Sequence, residues 1–523
     1  MSNPVHLKSI LIRILCPITG LIFLIGCSLK TYLPEAAVTY ITPAKYKLLD
    51  KTTFKELYGE SRRSDYLQIT INYANFMLRN GRDRYGEVSS PLFATTMNRN
   101  TGDIYKNHPP RPPKGIRKRD RTHRGANPSM SRGFVGLLHR LTALTKIETY
   151  SQEADTSILW FFKNCQIKKT GLLPWGEHMG WDFYKERIIT SKFQFWVHEM
   201  KGFSQWDLVW EKVPESADRF AMGLWDHQIY AKEGKHAGEY SRHTAALFHW
   251  PMKGKAFPSH GGKYIIAWAK AWQYTGNTEY LRAISTVLNY FERNKSPKSG
   301  ALRYATSFPD HLSLGHNMGL VDQLESVRDN LPDTLRLRMI DLTQNWDSIY
   351  LSFAHDPTPD GIGFIKSANV HTLEPGEFRS KSKSGNYSTK MWGSGYTASA
   401  SSGTANDCLD RFQKTGIQAY KNLFLISAEA YYQSEIPKAK VLYPRNYSGI
   451  IGMMLDAYRI TDERRFLDKA IAYADVSIEA VMDQTSPLPK ASNTTTHYEA
   501  ITGADGLMNN LLSIWLELNK NGI

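Results

Sequence analysis

Tyr264-Ile-Ile-Ala-Trp-Ala-Lys-Ala-Trp-Gln-Tyr-Thr-Gly-Asn-Thr-Glu-Tyr-Leu-Arg-Ala-Ile284 has a partner further along the chain, Ile451-Gly-Met-Met-Leu-Asp-Ala-Tyr-Arg-Ile-Thr-Asp-Glu-Arg-Arg-Phe-Leu-Asp-Lys-Ala470. Thr275-Gly276-Asn277 aligns with Thr461-Asp462-Glu463, and Tyr280-Leu281 with Phe466-Leu467. Each stretch reads as a helix, a tight turn and a second helix. A weaker third copy places a helix at 418–433 and a turn at Ser434-Glu435-Ile436-Pro437. Repeated antiparallel helix pairs predict a solenoid or a closed ring of hairpins. Strand-like alternation is scarce. The expected fold class is therefore all-α, an (α/α) barrel or toroid with its site in long loops at one end of the helices. An open superhelix is the alternative. The long connections at 295–325, 355–395 and 481–500 argue against it, because simple arrays keep their connections short.

Working outward, a helical segment is expected near 54–78. The Pro-, Gly- and Arg-rich stretch 100–130 reads as an irregular insert. Helical spacing returns from 132, carried by Phe134, Leu137, Leu138, Leu141, Leu144 and Ile147. The 523 residues divide into an export signal at 1–26, a tether at 27–50 and one catalytic domain at 51–523. The signal rests on His6, Lys8 and Arg13, the apolar run Ile10 to Ile25, and Leu24-Ile25-Gly26-Cys27. Cys27 is thus the expected lipidated residue of an exported lipoprotein, and Ser28 after it fits outer-membrane placement. The alternative is an uncleaved anchor, for which the apolar run is short. Of the remaining cysteines, Cys165 and Cys408 form either one disulfide or two buried thiols. No CxxC pair exists, so a thiolate metal site is not expected.

The net charge is +15. Loss of residues 1–26 removes Lys8 and Arg13 and leaves +13. A positive surplus draws anions. For an exported chain the expected partner is an acidic polysaccharide, with no nucleic acid and no obligate protein partner. Arg111, Lys114, Arg117, Lys118, Arg119, Arg121 and Arg124 form either a solvated loop or part of an anion-gathering surface. The 13 Trp, 28 Tyr and 22 Phe are mostly core, but some can stack on the apolar faces of sugar rings.

Three metal-competent side chains stand out, His178, Glu199 and His243, with the fixed cation Arg242 beside the last. Two imidazoles and a carboxylate suit Mn²⁺, Fe²⁺, Ni²⁺ or Zn²⁺ better than Ca²⁺. The order His, Glu, Arg-His over residues 170–320 resembles polysaccharide lyase family 2, the pectate lyases. The resemblance implies an (α/α)₇ barrel and a divalent metal, manganese above all, held by His178, Glu199 and His243. It implies Arg242 as the base that removes the C5 proton of a uronate, giving a 4,5-unsaturated product by β-elimination. Metal and basic side chains would stabilise the enolate-like charge. Arginine's high pKa makes it a poor base in water, so Tyr240 and His227 are fallback bases.

Other candidates are substrate contacts. Asp226-His227 reads as a support pair or a structural histidine. His260 and Lys263 open a helix, where anions are favoured. His311 and His316 belong to a polar loop at the cleft rim, and Trp392 and Tyr396 to an aromatic loop that is a sugar platform or a plain turn. Asn406-Asp407 is too short a signal to assign, and Asp356 to Gly361 lacks the rhythm of a calcium loop. Besides the pectate lyase reading, three others stand: a lyase or C5-epimerase on another uronate, a hydrolase using two carboxylates such as Glu177 and Asp226, and a non-catalytic glycan-binding lipoprotein.

Overall fold

The computed structural model describes residues 46–176, 179–189, 199–242, 256–378, 386–393 and 400–520. Among them sixteen α-helices dominate, and they pack as hairpins into an (α/α) toroid. The two repeats are helix pairs, Pro258–Thr275 with Thr278–Asn294 and Pro444–Thr461 with Arg464–Val481. Local chemistry sets their ends. Proline stands in the first turn of Pro258–Thr275 and of Pro444–Thr461, where its missing N–H is no loss. Gly276 ends the first helix with φ +67°, and Asn277 caps the next by accepting from Glu279 N–H.

The third hairpin is shifted from its predicted place. Gln418–Gln433 is a helix, but its partner is Ser401–Thr415, and the turn is Gly416 at φ +73° instead of 434–437. The 295–325 connection also holds regular structure, the strand His311–Ser313 and the helix Leu314–Glu325. The expected 54–78 helix is two, Lys51–Tyr58 and Ser64–Asn80. Arg132–Thr145 buries Phe134, Leu137, Leu138 and Leu141, as the spacing predicts.

The ring closes on itself, which rules out the open superhelix. Ser64–Asn80 packs on the last described helix, Ala504–Leu518. Arg62 N–H donates to Asn519 Oδ1 at 3.2 Å, and Asn519 Nδ2 returns to Arg62 O at 3.1 Å. Arg63 and Tyr66 reach Asp475 on the penultimate helix. Among the described residues the strands form three small antiparallel sheets, with isolated bridges beside them. One pairs His311–Ser313 with Ser367–Asn369, with Leu312 opposite Ala368.

A buried cation joins three helices. Arg411, 2 % exposed, sits on Ser401–Thr415. Its Nε and Nη2 meet the two oxygens of Asp347 at 2.6 and 2.8 Å, and Nη2 meets Glu325 Oε1 at 3.1 Å. Asp347 lies on Trp346–Leu351 and Glu325 ends Leu314–Glu325. Cys165 and Cys408 are two free, buried thiols, the second of the two readings. Among the described residues no helix is long and apolar enough to cross a membrane.

Candidate active site

The N-terminal ends of three helices meet around one cleft. Ser259 comes from the first turn of Pro258–Thr275, His316 from that of Leu314–Glu325, and Thr404 and Asp407 from Ser401–Thr415. The first two helices approach closely because residue 262 is glycine. A Cβ there would stand 2.1 Å from Gln323 Oε1. The small sheet completes the wall with His311, Ser313 and Ser367, and Lys366 and Glu377 flank it. The cleft encloses about 410 Å³, enough for a sugar ring or two.

Two carboxyl groups line it in unlike settings. Asp407 is open to the cleft water but walled by protein, and among the described residues it makes no hydrogen bond or ion pair. Confinement pushes its pKa up to about 7, with Asp410 and Asp322 adding to the rise and Lys414 opposing it. Glu377 is buried at 8 % exposure, and its Oε1 lies 3.7 Å from His311 Nδ1. That distance is proximity, not a hydrogen bond. His311 is itself fixed, accepting the Phe378 N–H at 3.4 Å and standing edge-on to the Tyr304 ring at 5.1 Å. Ser259 Oγ and His316 Nδ1 are 2.6 Å apart. Tyr304 stacks on Phe257 at 4.2 Å, an aromatic wall of the kind that sugar faces use.

Behind Phe257 lies a second polar cluster, centred on Glu199. This carboxylate is 1 % exposed. Its Oε1 receives Arg242 Nη1 at 3.0 Å and stands 3.2 Å from His260 Nε2, and its Oε2 is 3.1 Å from Lys201 Nζ. Arg242 lies over the Phe257 ring at 4.8 Å. Burial holds the His260 imidazole well below its usual pKa, and the nearby Lys263 charge adds to this. Lys263 is pushed down to about 8, by burial first and then by Lys201. Gly176 supports the cluster. It has φ +114°, and a Cβ on it would stand 2.8 Å from Glu199 Cβ.

Of the residues singled out in the sequence, His311 and His316 enter the cleft. Glu199, Arg242, His260 and Lys263 belong to the cluster behind it. Cys27, Glu177, His178, His243 and Tyr396 lie outside the described residues. Tyr240 is core. It is 0 % exposed, donates to Phe257 O at 2.7 Å and is packed by Tyr264, Tyr290 and Phe291. Burial raises its pKa well above the usual value, so it is no fallback base. Asp226 is ion-paired to Lys232 at 2.7 Å on the exposed end of Pro214–His227, and His227 follows it there. Trp392 packs edge-on against Tyr431, as in a plain structural turn. The sequence reading missed Glu377 and left Asp407 unassigned. Neither belongs to a local motif, and only the fold brings them together.

Comparison with known proteins gives a partial family match and a wider set of similar structures. The family model described as periplasmic pectate lyase matches residues 91–259, about a third of the chain. No match to a curated protein was found. A GH76 α-1,6-mannanase from a Salegentibacter species is 11 % identical at a TM-score of 0.42, over 87 % of this chain and 100 % of that one. A D-mannose isomerase is 11 % identical at 0.43, over 87 % and 97 %. A cellobiose 2-epimerase from Bacillus thermoamylovorans is 10 % identical at 0.43, over 86 % and 100 %. The chain is thus similar to carbohydrate-active proteins.

The expectation of a metal-dependent pectate lyase, with its lyase and metal-binding attributes, is corrected on the geometry of the described residues. Among the described residues no group of three or more His, Cys, Asp or Glu is placed to hold a metal ion. Arg242, the expected base, is held as a cation on Glu199. Glu199, the expected ligand, is ion-paired to Arg242 through Oε1 and to Lys201 through Oε2, and Oε1 stands 3.2 Å from His260 Nε2. The expected manganese site also needs His178 and His243, which lie outside the described residues.

Proposed function

We propose that this protein is a glycan-processing enzyme of the carboxylate-pair type, a glycoside hydrolase. The observation that carries the reading is the pairing of Asp407 and Glu377 in one cleft with different surroundings. Groups whose environments differ in this way divide acid from base duties. Asp407, protonated near neutrality, gives its proton to the glycosidic oxygen as the C–O bond breaks. Glu377, beside His311, supplies the electron pair that the oxocarbenium-like centre needs, through water or directly. Tyr304, backed by Phe257, provides the ring platform. The hydrolase pair suggested by the sequence, Glu177 with Asp226, is not the one proposed, since Asp226 is exposed and salt-bridged to Lys232.

The substrate we infer is an acidic glycan, in keeping with the net charge of +15 and the cations gathered around Glu199. Kinship with the pectate lyase family is inferred as lineage for residues 91–259, without that family's reaction. We also infer export as a lipoprotein modified on Cys27, which a Cys27→Ser variant tests by moving from the membrane to the soluble fraction.

The test of function is reducing-end release from a panel of acidic and neutral glycans, with absorbance of unsaturated sugars followed alongside. Hydrolysis gives new reducing ends without that absorbance. Glu377→Gln and Asp407→Asn should each lower kcat by roughly 10²- to 10⁴-fold. Full activity in both variants would sink the assignment.

A further inference from the structure

We propose that the loop from Lys106 to Arg119 is a second, non-catalytic binding surface for a polyanionic glycan chain, at the rim of the end that holds the cleft. Its cations are Lys106, Arg111, Lys114, Lys118 and Arg119. All five are exposed. Among the described residues none has an acidic partner, whereas Arg282, Arg338 and Arg464 elsewhere on the surface each meet a carboxylate. Five such charges within one short segment produce a strong local field for anions.

The frame that carries them is held in place. Pro109, Pro110, Pro112 and Pro113 restrict the backbone. Ile116 is buried at 5 % exposure. Arg121 Nη1 donates to Pro110 O at 2.6 Å, and the Tyr443 hydroxyl donates to Lys114 O. Arg121 is in turn paired to the buried Glu499, which stands 2.8 Å from His497 Nε2. A pinned loop loses less conformational entropy on binding than a loose one.

The anchors also fix where the surface faces. Tyr443 immediately precedes the helix Pro444–Thr461, and Glu499 lies just before Ala504–Leu518. Each hairpin returns antiparallel, so these starts lie at the same end of the ring as the starts of Ser401–Thr415 and Pro258–Thr275. That end carries the cleft. A chain too long for the cleft would leave it across this rim, which favours a glycan over a flat bilayer as the occupant.

The proposal extends the glycan reading, and its test does not depend on activity. The whole exported chain is run by electrophoresis through gels containing polygalacturonate or neutral dextran, and is floated with vesicles containing phosphatidylglycerol. Lys114→Glu, Lys118→Glu and Arg119→Glu are combined in one variant, and Lys106→Gln with Arg111→Gln in another. Melting temperatures confirm that each folds. Wild type should be retarded by polygalacturonate and not by dextran. The triple variant should bind about tenfold more weakly, and the double variant should fall between. Turnover of a short glycoside should be unchanged in both. If no short glycoside is turned over by any form while retardation is still lost, the catalytic reading fails and the surface stands. Equal retardation of variants and wild type, or a loss confined to the vesicles, overturns the proposal.

Discussion

At the scale of single residues, Asp407 makes the sharpest demand. Its pKa is raised to about 7 from an ordinary 3.8, so the native state holds its proton more tightly than the unfolded chain does. Stability is therefore undiminished below pH 4 and declines as pH rises from there to 7. Asp407→Asn should raise the melting temperature at pH 8 and leave it unchanged at pH 3.5. The gain should be only ~1 kcal/mol, because the side chain is open to water that screens it. Activity should fall as pH rises through 7, since the proton donor is then spent. Glu199 makes a different demand. Glu199→Gln would leave Arg242 and Lys201 facing each other around a neutral group, at a cost of about 3 kcal/mol in a denaturant titration. The carboxylate is committed to those cations, so chelator treatment should leave the melting temperature unchanged. A drop restored by Mn²⁺ would show that His178 and His243 bring a metal to Glu199 after all.

Elements were legible where they repeat. The hairpins at 258–294 and 444–481 announce themselves through apolar spacing and a Gly or Asp at the turn. Ser401–Thr415 does not, because its first turns are Ser, Ser, Gly, Thr, Ala, Asn and Asp. Thr404 and Asp407 among them face the cleft, and the small and polar run hides the helix from any hydrophobic pattern. The same residues conceal the site. Asp407 and Glu377 are thirty residues apart, and no local spacing links them. Glu199 and Arg242 were readable as a metal ligand and a base of one site, but their mutual ion pair requires the fold. One element-level prediction concerns the chain entering that cluster. Gly176 sits at φ +114° against Glu199. Gly176→Ala should destabilise by more than about 2 kcal/mol through combined strain and clash, whereas Gly136→Ala, with open space around it on a helix, should be neutral or slightly stabilising by thermal denaturation.

Over the whole molecule, the net charge of +15 sets the response to salt. Turnover of a long acidic glycan should fall steeply between 50 and 500 mM salt, as screening shortens to roughly 4 Å. Turnover of a short neutral glycoside should hardly change over the same range. The closed ring adds a constraint of another kind. Arg411 ties Leu314–Glu325, Trp346–Leu351 and Ser401–Thr415 through one buried guanidinium, and all three helices line the cleft. None of the three can fray alone without stranding a charge in the interior. Their amide protons should therefore exchange with solvent as one cooperative unit, sharing a single opening free energy. In Arg411→Met that unit should split, with Trp346–Leu351 exchanging first. The cleft wall is thus guarded against partial opening by the same cation that holds its helices in register.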